Sequence, residues 1–116
     1  MRSSELEGRT KQFAVRIIRM FGQLPKRVDA ETLGRQVLRS GTSVAANYRE
    51  ATRARSKSEM ISKLSIVEQE LCETMLWLEL LVESEIVAQA KMADLHCEAE
   101  ELLKITVASI KTLKSK

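Results

Sequence analysis

The chain has 116 residues, of which 44% are hydrophobic, 30% charged and only 3% aromatic, and its formal net charge is +3. This length predicts a single domain, 1–116, and the apolar content excludes a disordered chain. No run approaches the roughly 20 apolar residues of a membrane span, and the first residues lack the apolar stretch of a signal peptide, so a cytoplasmic protein without membrane contact is expected.

The first two predicted helices span about 4–24 and 30–54. Pro25 ends the first, because proline cannot continue the hydrogen-bond ladder, and Asp29 is predicted as the N-cap of the second. In the second helix, Gly41 lies among small residues that would let another helix approach closely. Apolar or small residues recur at alternating steps of three and four and predict the core faces: Leu6, Thr10, Phe13, Ile17, Met20 and Leu24, then Ala30, Leu33, Val37, Ser40, Val44, Tyr48 and Ala51.

The third and fourth predicted helices span about 57–83 and 88–114. Ser56 and Glu59 match the capping box, in which a serine and a glutamate three residues later satisfy the free amides of a helix start. The predicted core faces continue with Met60, Leu64, Val67, Leu71, Thr74, Leu78 and Leu81, then Leu95, Ala99, Leu102, Thr106, Ile110 and Leu113. Because short connections make sequential helices antiparallel, the fold class is all-α, an antiparallel up-down-up-down four-helix bundle.

The third helix is apolar beyond its core face, with Ile66, Trp77 and Leu80 on one flank. Either a small bundle packs this helix against two neighbours, or the flank centred on Trp77 contacts another subunit. Self-association through these three residues is the working hypothesis.

The second helix carries a basic stripe about 200° from its core face. Its arginines are Arg35, Arg39, Arg49 and Arg53, and Arg55 and Lys57 in the following connection extend it. The stripe is either a solvated or inter-subunit face held by ion pairs, or a track for the phosphates of RNA or DNA. Scarce aromatic residues argue against a base-stacking platform.

The small net charge hides a strong asymmetry between the two halves of the chain. Residues 1–57 hold 13 Lys or Arg and 5 Asp or Glu, a balance of +8, whereas residues 58–116 hold 6 and 11, a balance of −5. Antiparallel packing places these halves against each other, so part of the charge is expected to be paired internally.

No constellation in the sequence predicts catalysis. There is no glycine-rich phosphate loop, no serine or cysteine with an evident histidine partner, and no Glu-x-x-His pair around the single histidine, His96. We therefore expect no enzyme activity, no catalytic residue, no metal or other cofactor and no small-molecule substrate. Cys72 and Cys97 are expected to be reduced, half-buried apolar groups.

The stretch from Arg39 to Ala51, RSGTSVAANYREA, carries a resemblance to a known family. It resembles the four-helix-bundle proteins related to those encoded within intervening sequences of bacterial 23S ribosomal RNA genes, and the similarity extends from about Phe13 to Leu113. The resemblance implies a homo-oligomer, typically a pentamer, of undefined biochemical role, with an association with RNA or the ribosome suggested by gene context. Ser43, Asn47 and Glu50 are its structural motif, and Asn47 is expected to be a buried amide that bonds to a neighbouring helix and fixes register.

Overall fold

Four α-helices account for most of residues 2–116, the part of the chain that the computed structural model describes. They are α1 (Ser3–Gly22), α2 (Val28–Thr52), α3 (Lys57–Glu83) and α4 (Gln89–Lys114), and the described residues contain no strand. No helix among them has an apolar stretch long enough to cross a membrane.

Contacts between adjacent helices show that each runs antiparallel to the next, because residue numbers that rise along one helix meet numbers that fall along its neighbour. The pairs are Ser3–Tyr48 and Ile17–Gly41 for α1 and α2, then Arg39–Glu73 and Glu50–Lys63 for α2 and α3. For α3 and α4, Lys57 at the start of α3 contacts Lys116 just after α4, and Glu79 contacts His96. Arg9–Glu98 joins α1 to α4. The prediction of an all-α four-helix bundle is confirmed. Contact between α1 and α4 is the least extensive of the four adjacent pairs.

The core is built from the predicted faces, whose residues are all buried or pack against the buried cluster. Its buried hydroxyls are satisfied locally: Thr10, Thr74 and Thr106 each donate to a carbonyl oxygen of the preceding turn. The Thr74 hydroxyl also lies 2.8 Å from that of Ser40, which links α2 to α3 inside the core. A buried hydroxyl without such a partner would be destabilising.

The helix boundaries follow local chemistry with one exception. The Ser56 hydroxyl accepts a 3.0 Å hydrogen bond from the amide of Glu59, and α3 begins at Lys57 as the capping box predicts. The prediction that Asp29 caps α2 is wrong, because the N-cap is Arg27. Asp29 lies in the first turn, where its carboxylate accepts from the Arg27 guanidinium at 2.6 Å and from the amide of Ala30. The Arg27 hydrogen bond lowers the pKa of Asp29 below its ordinary value.

The turn after α3 places a glutamate where a glycine would be easier to accommodate. Glu85 has φ 63°, while its amide donates to the carbonyl of Val82 and the amide of Ile86 donates to that of Leu81. These two bonds form a Schellman motif, which needs a left-handed residue at this position.

Replacing Glu85 with glycine is expected to raise the free energy of unfolding by about 0.5–1 kcal/mol. Relief of the left-handed conformation is worth roughly 1–2 kcal/mol, and the greater backbone freedom of unfolded glycine offsets part of it. Urea denaturation measures the change. The matched control is Glu83→Gly in the last turn of α3, where φ is helical and the same substitution should lower stability. A loss of stability at both positions would contradict the interpretation.

Candidate interaction surface

The predicted basic stripe divides between two neighbouring helices. The Arg39 guanidinium contacts α3, donating to the Glu70 carboxylate at 3.2 Å and to Glu73 at 2.7 Å. Arg49 and Arg53 instead face Glu7 of α1, at 3.6 Å and 4.0 Å. The structure therefore does not assemble the stripe into one cluster.

The remaining members of the stripe differ in their surroundings. Arg35 and Arg55 are exposed and have no ion pair with any described residue. Lys57 turns toward the end of α4, where its ammonium donates to the backbone oxygen of Lys116. The positive surface that remains uncompensated thus lies toward the two ends of α2.

Ion pairs between the two halves of the chain confirm that part of the charge is compensated internally. Besides Arg39, the Arg9 guanidinium on α1 contacts Glu98 at 2.7 Å and Glu101 at 3.1 Å on α4. The hydrogen bond from Arg9 to Glu98 is the main reason that the pKa of Arg9 lies above its ordinary value. Arg9 and Glu7 are interaction residues that the stripe pattern on α2 could not reveal, because they lie on α1.

The outward side of α3 carries an apolar surface, formed by Leu76, Trp77 and Leu80, that we call the outer edge of α3. Ile66 belongs to the same flank but lies about 15 Å before Leu76 along the helix. Ile66, Trp77 and Leu80, predicted from the sequence, are half-buried, and Leu76, which the sequence pattern did not single out, is 47% exposed. Trp77 packs partly on the core of its own chain, as expected if α3 packs against two neighbouring helices of the same bundle. Its indole nitrogen is buried without a hydrogen-bond acceptor among the described residues, so its exposed surface is hydrocarbon.

Asn47 and Glu50 of the family motif bond to residues of their own chain. The Asn47 amide donates to the backbone oxygen of Ser43 at 3.0 Å and to its hydroxyl at 2.9 Å, one turn earlier in the same helix. The expected bond from Asn47 to a neighbouring helix is therefore wrong. Glu50 does reach a neighbour, since its carboxylate contacts the Lys63 ammonium of α3 at 2.7 Å. The hydrogen bond to Glu50 raises the pKa of Lys63.

The cysteines and the histidine do not form a reactive cluster. Cys72 and Cys97 are free, and both are exposed, so the expectation that they are half-buried is wrong. The His96 ring nitrogen Nε2 lies 2.8 Å from the Glu79 carboxylate and joins α4 to α3. Within residues 2–116, no group of three or more His, Cys, Asp or Glu side chains has the geometry to hold a metal ion.

Comparison with known proteins places this bundle in a family. The family model described as the 23S rRNA-intervening sequence protein matches residues 3–108. This range includes the motif residues Ser43, Asn47 and Glu50, the basic stripe and the outer edge of α3. The chain belongs to this family.

A solved structure agrees with the assignment to the 23S rRNA-intervening sequence proteins. It is a protein with unknown function from the S23 ribosomal protein family of Bacteroides thetaiotaomicron VPI-5482. The two chains are 34% identical and superpose with a TM-score of 0.89, over 96% of this chain and 99% of that chain. A search of curated proteins found no match. The predicted resemblance is thus confirmed at the level of family and fold.

Proposed function

We propose that this family member is a homo-oligomeric interaction module of the cytoplasm that acts without catalysis of its own. The observation that carries the proposal is the outer edge of α3. Leu76, Trp77 and Leu80 follow helical spacing and form one continuous apolar surface, of which Leu76 is 47% exposed. Contiguous apolar surfaces on soluble proteins mark contact sites, and tryptophan is enriched among interface anchors.

The charge distribution supports a second copy of the chain as the partner. The α1–α2 half is basic and the α3–α4 half is acidic, and internal ion pairs compensate only part of this difference. The basic face of one copy complements the acidic face of the next, and a heterologous contact of this kind generates a ring when it closes. The assembly that we propose is such a ring, and five is the number of subunits that the family resemblance implies.

The assembly should be visible in solution as a mass several times the 13.1 kDa of one chain. At micromolar concentration, sedimentation or light scattering of the wild-type protein is expected to show this oligomer. Leu80→Glu should shift the mass toward the monomer, because a carboxylate would be buried at the contact without a partner.

The matched control is Val28→Glu, which adds the same carboxylate to an apolar residue that is 83% exposed at the start of α2. This variant should keep the oligomer. A monomeric wild-type protein, or equal dissociation of both variants, would overturn the proposal.

The second candidate function is binding of the RNA backbone, and the geometry around Glu7 favours it. Arg49 and Arg53 share this single carboxylate at 3.6 Å and 4.0 Å, and their side chains are 54% and 64% exposed. Their guanidinium groups therefore remain available to phosphates, and such contacts release counterions and make affinity depend steeply on salt.

Binding of a short RNA, measured against salt concentration from about 50 mM upward, tests this second candidate. We expect the slope of the salt dependence to fall by about 0.7–0.9 for each phosphate that the variant Arg49→Ala/Arg53→Ala no longer neutralises. Arg27→Ala is the matched control, because that arginine is engaged by Asp29 near the opposite end of α2. Absence of binding at the lowest salt concentration, or an unchanged slope, would remove this candidate.

A further inference from the structure

A cleft lies between α1 and α4 at the end of the bundle where these helices meet the α3–α4 connection. Its volume is about 380 Å³. This places it at the lower end of the range of roughly 300–1,000 Å³ seen for small-molecule sites. The cleft is possible because α1 and α4 pack less extensively than the other adjacent helices.

The cleft is lined by the cations Arg16, Arg19 and Lys91, and by no acidic side chain. None of the three has an ion pair or side-chain hydrogen bond with a described residue. Arg19 lies in the last turn of α1, where a cation is favourable next to the negative end of the helix dipole. Arg16 and Lys91 have no comparable stabilisation from a helix dipole.

Arg16 and Lys91 are placed at a local disadvantage. Arg16 is a half-buried residue whose guanidinium has no ion-pair partner among the described residues. Lys91 lies in the first turn of α4, where the positive end of the helix dipole disfavours a cation, and no acidic side chain occupies that turn. A bound anion would relieve both disadvantages.

The rest of the lining is mainly apolar. Met20 contributes from the last turn of α1 and Leu24 from the α1–α2 connection. Ile86 and Val87 contribute from the α3–α4 connection, and Leu95 from α4. A fully hydrated ion such as inorganic phosphate would leave this surface in water. An anion that carries an apolar body would cover it and pair with the cations at the same time.

We propose that this cleft is a binding site for a small amphipathic carboxylate, held at its head by Arg16 and Lys91 and at its apolar body by the α3–α4 connection. Neither the motif of the family nor the outer edge of α3 contributes to the lining of the cleft. Both components of the ligand are required: the charge for the unpaired cations, and the hydrocarbon for Leu24, Ile86 and Val87.

Titration of the ¹⁵N-labelled full chain with octanoate below its micellar concentration tests the site. We expect saturable shifts of the amides of Ile86, Val87 and Leu95, together with a rise in Tm. Octan-1-ol, which lacks the charge, and inorganic phosphate, which lacks the hydrocarbon, should each bind at least about tenfold more weakly. The alcohol loses a charge-assisted hydrogen bond, and phosphate loses the burial of several methylene groups.

The variant Arg16→Gln/Lys91→Gln separates a binding role from a structural one. It should weaken octanoate binding at least about tenfold without lowering the Tm of the unliganded protein, because neither cation is paired in the unliganded fold. Arg35→Gln, which removes an exposed and unpaired arginine on α2, is the control and should bind octanoate as the wild type does. Absence of saturable shifts, equal binding of octan-1-ol, or full binding by the double variant would each overturn the proposal.

Discussion

Replacing Gly41 with alanine is expected to lower the free energy of unfolding by about 1–2 kcal/mol, although alanine is the better helix former. A Cβ atom at this position would lie 2.8 Å from Cγ1, 3.0 Å from Cγ2 and 3.2 Å from Cβ of Ile17. A β-branched side chain cannot rotate away, so α1 and α2 would have to move apart. Overpacking of this kind costs up to about 3 kcal/mol, and the helix propensity of alanine returns about 1 kcal/mol.

The same substitution at Gly8 is the matched control and should have the opposite sign. Gly8 lies inside α1, is exposed, and has no atom within 4 Å of the position that a Cβ would take. Only the propensity gain of about 0.5–1 kcal/mol then remains. Denaturant unfolding of the two variants measures both changes at once. If Gly41→Ala were as stabilising as Gly8→Ala, the close approach of the two helices would not limit stability.

The close approach at Gly41, the core faces and the start of α3 were all predictable from the sequence, because each depends on signals within one helix. Apolar spacing identifies the buried side of a helix whichever neighbours it meets. The capping box at Ser56 needs only a hydroxyl and an amide three residues away, and the structure forms that bond at 3.0 Å. Small side chains around a glycine likewise indicate close packing before the partner, Ile17, is known.

Short polar side chains were harder to predict, because several local partners compete for each. Asp29 has the residue type and position of an N-cap, yet the Arg27 guanidinium binds its carboxylate and α2 begins one residue earlier than Asp29. Asn47 lies at the edge of the core, yet its amide donates to Ser43 one turn away. Asn, Asp and Ser readily bond to nearby backbone and side chains, and sequence spacing does not show which of these partners is used.

The partners of the basic stripe could not be predicted from periodicity. Residues nearly opposite the core face point to solvent with a neighbouring helix on either side, and a long arginine side chain can reach back to either one. The pattern of seven residues also drifts around the helix axis by about 20° for each repeat. Consequently Arg39 reaches Glu70 and Glu73 of α3, while Arg49 and Arg53 lie beside Glu7 of α1.

Because Arg39 pairs with carboxylates of α3, Arg39→Ala is expected to lower the free energy of unfolding by about 1–3 kcal/mol. The Glu70 side chain is only 10% exposed, and Arg39 is the cation paired with its carboxylate among the described residues. Removing one partner of a fully buried ion pair costs about 3–5 kcal/mol. Because Arg39 is itself 53% exposed, water can reach the carboxylate after the substitution, which reduces the destabilisation.

Arg35→Ala is the matched control for this effect. Arg35 lies one turn earlier on α2, is exposed, and forms no ion pair with a described residue, so its removal should change the free energy of unfolding by less than about 0.5 kcal/mol. The double variant Arg39→Ala/Glu70→Leu should recover stability relative to Arg39→Ala, because the unpaired carboxylate is gone. Equal effects at Arg35 and Arg39 would show that the whole stripe is a solvated surface. The predicted difference between them would instead mean that Arg39 stabilises the bundle, and that a nucleic-acid surface on α2 has to be sought at Arg49 and Arg53.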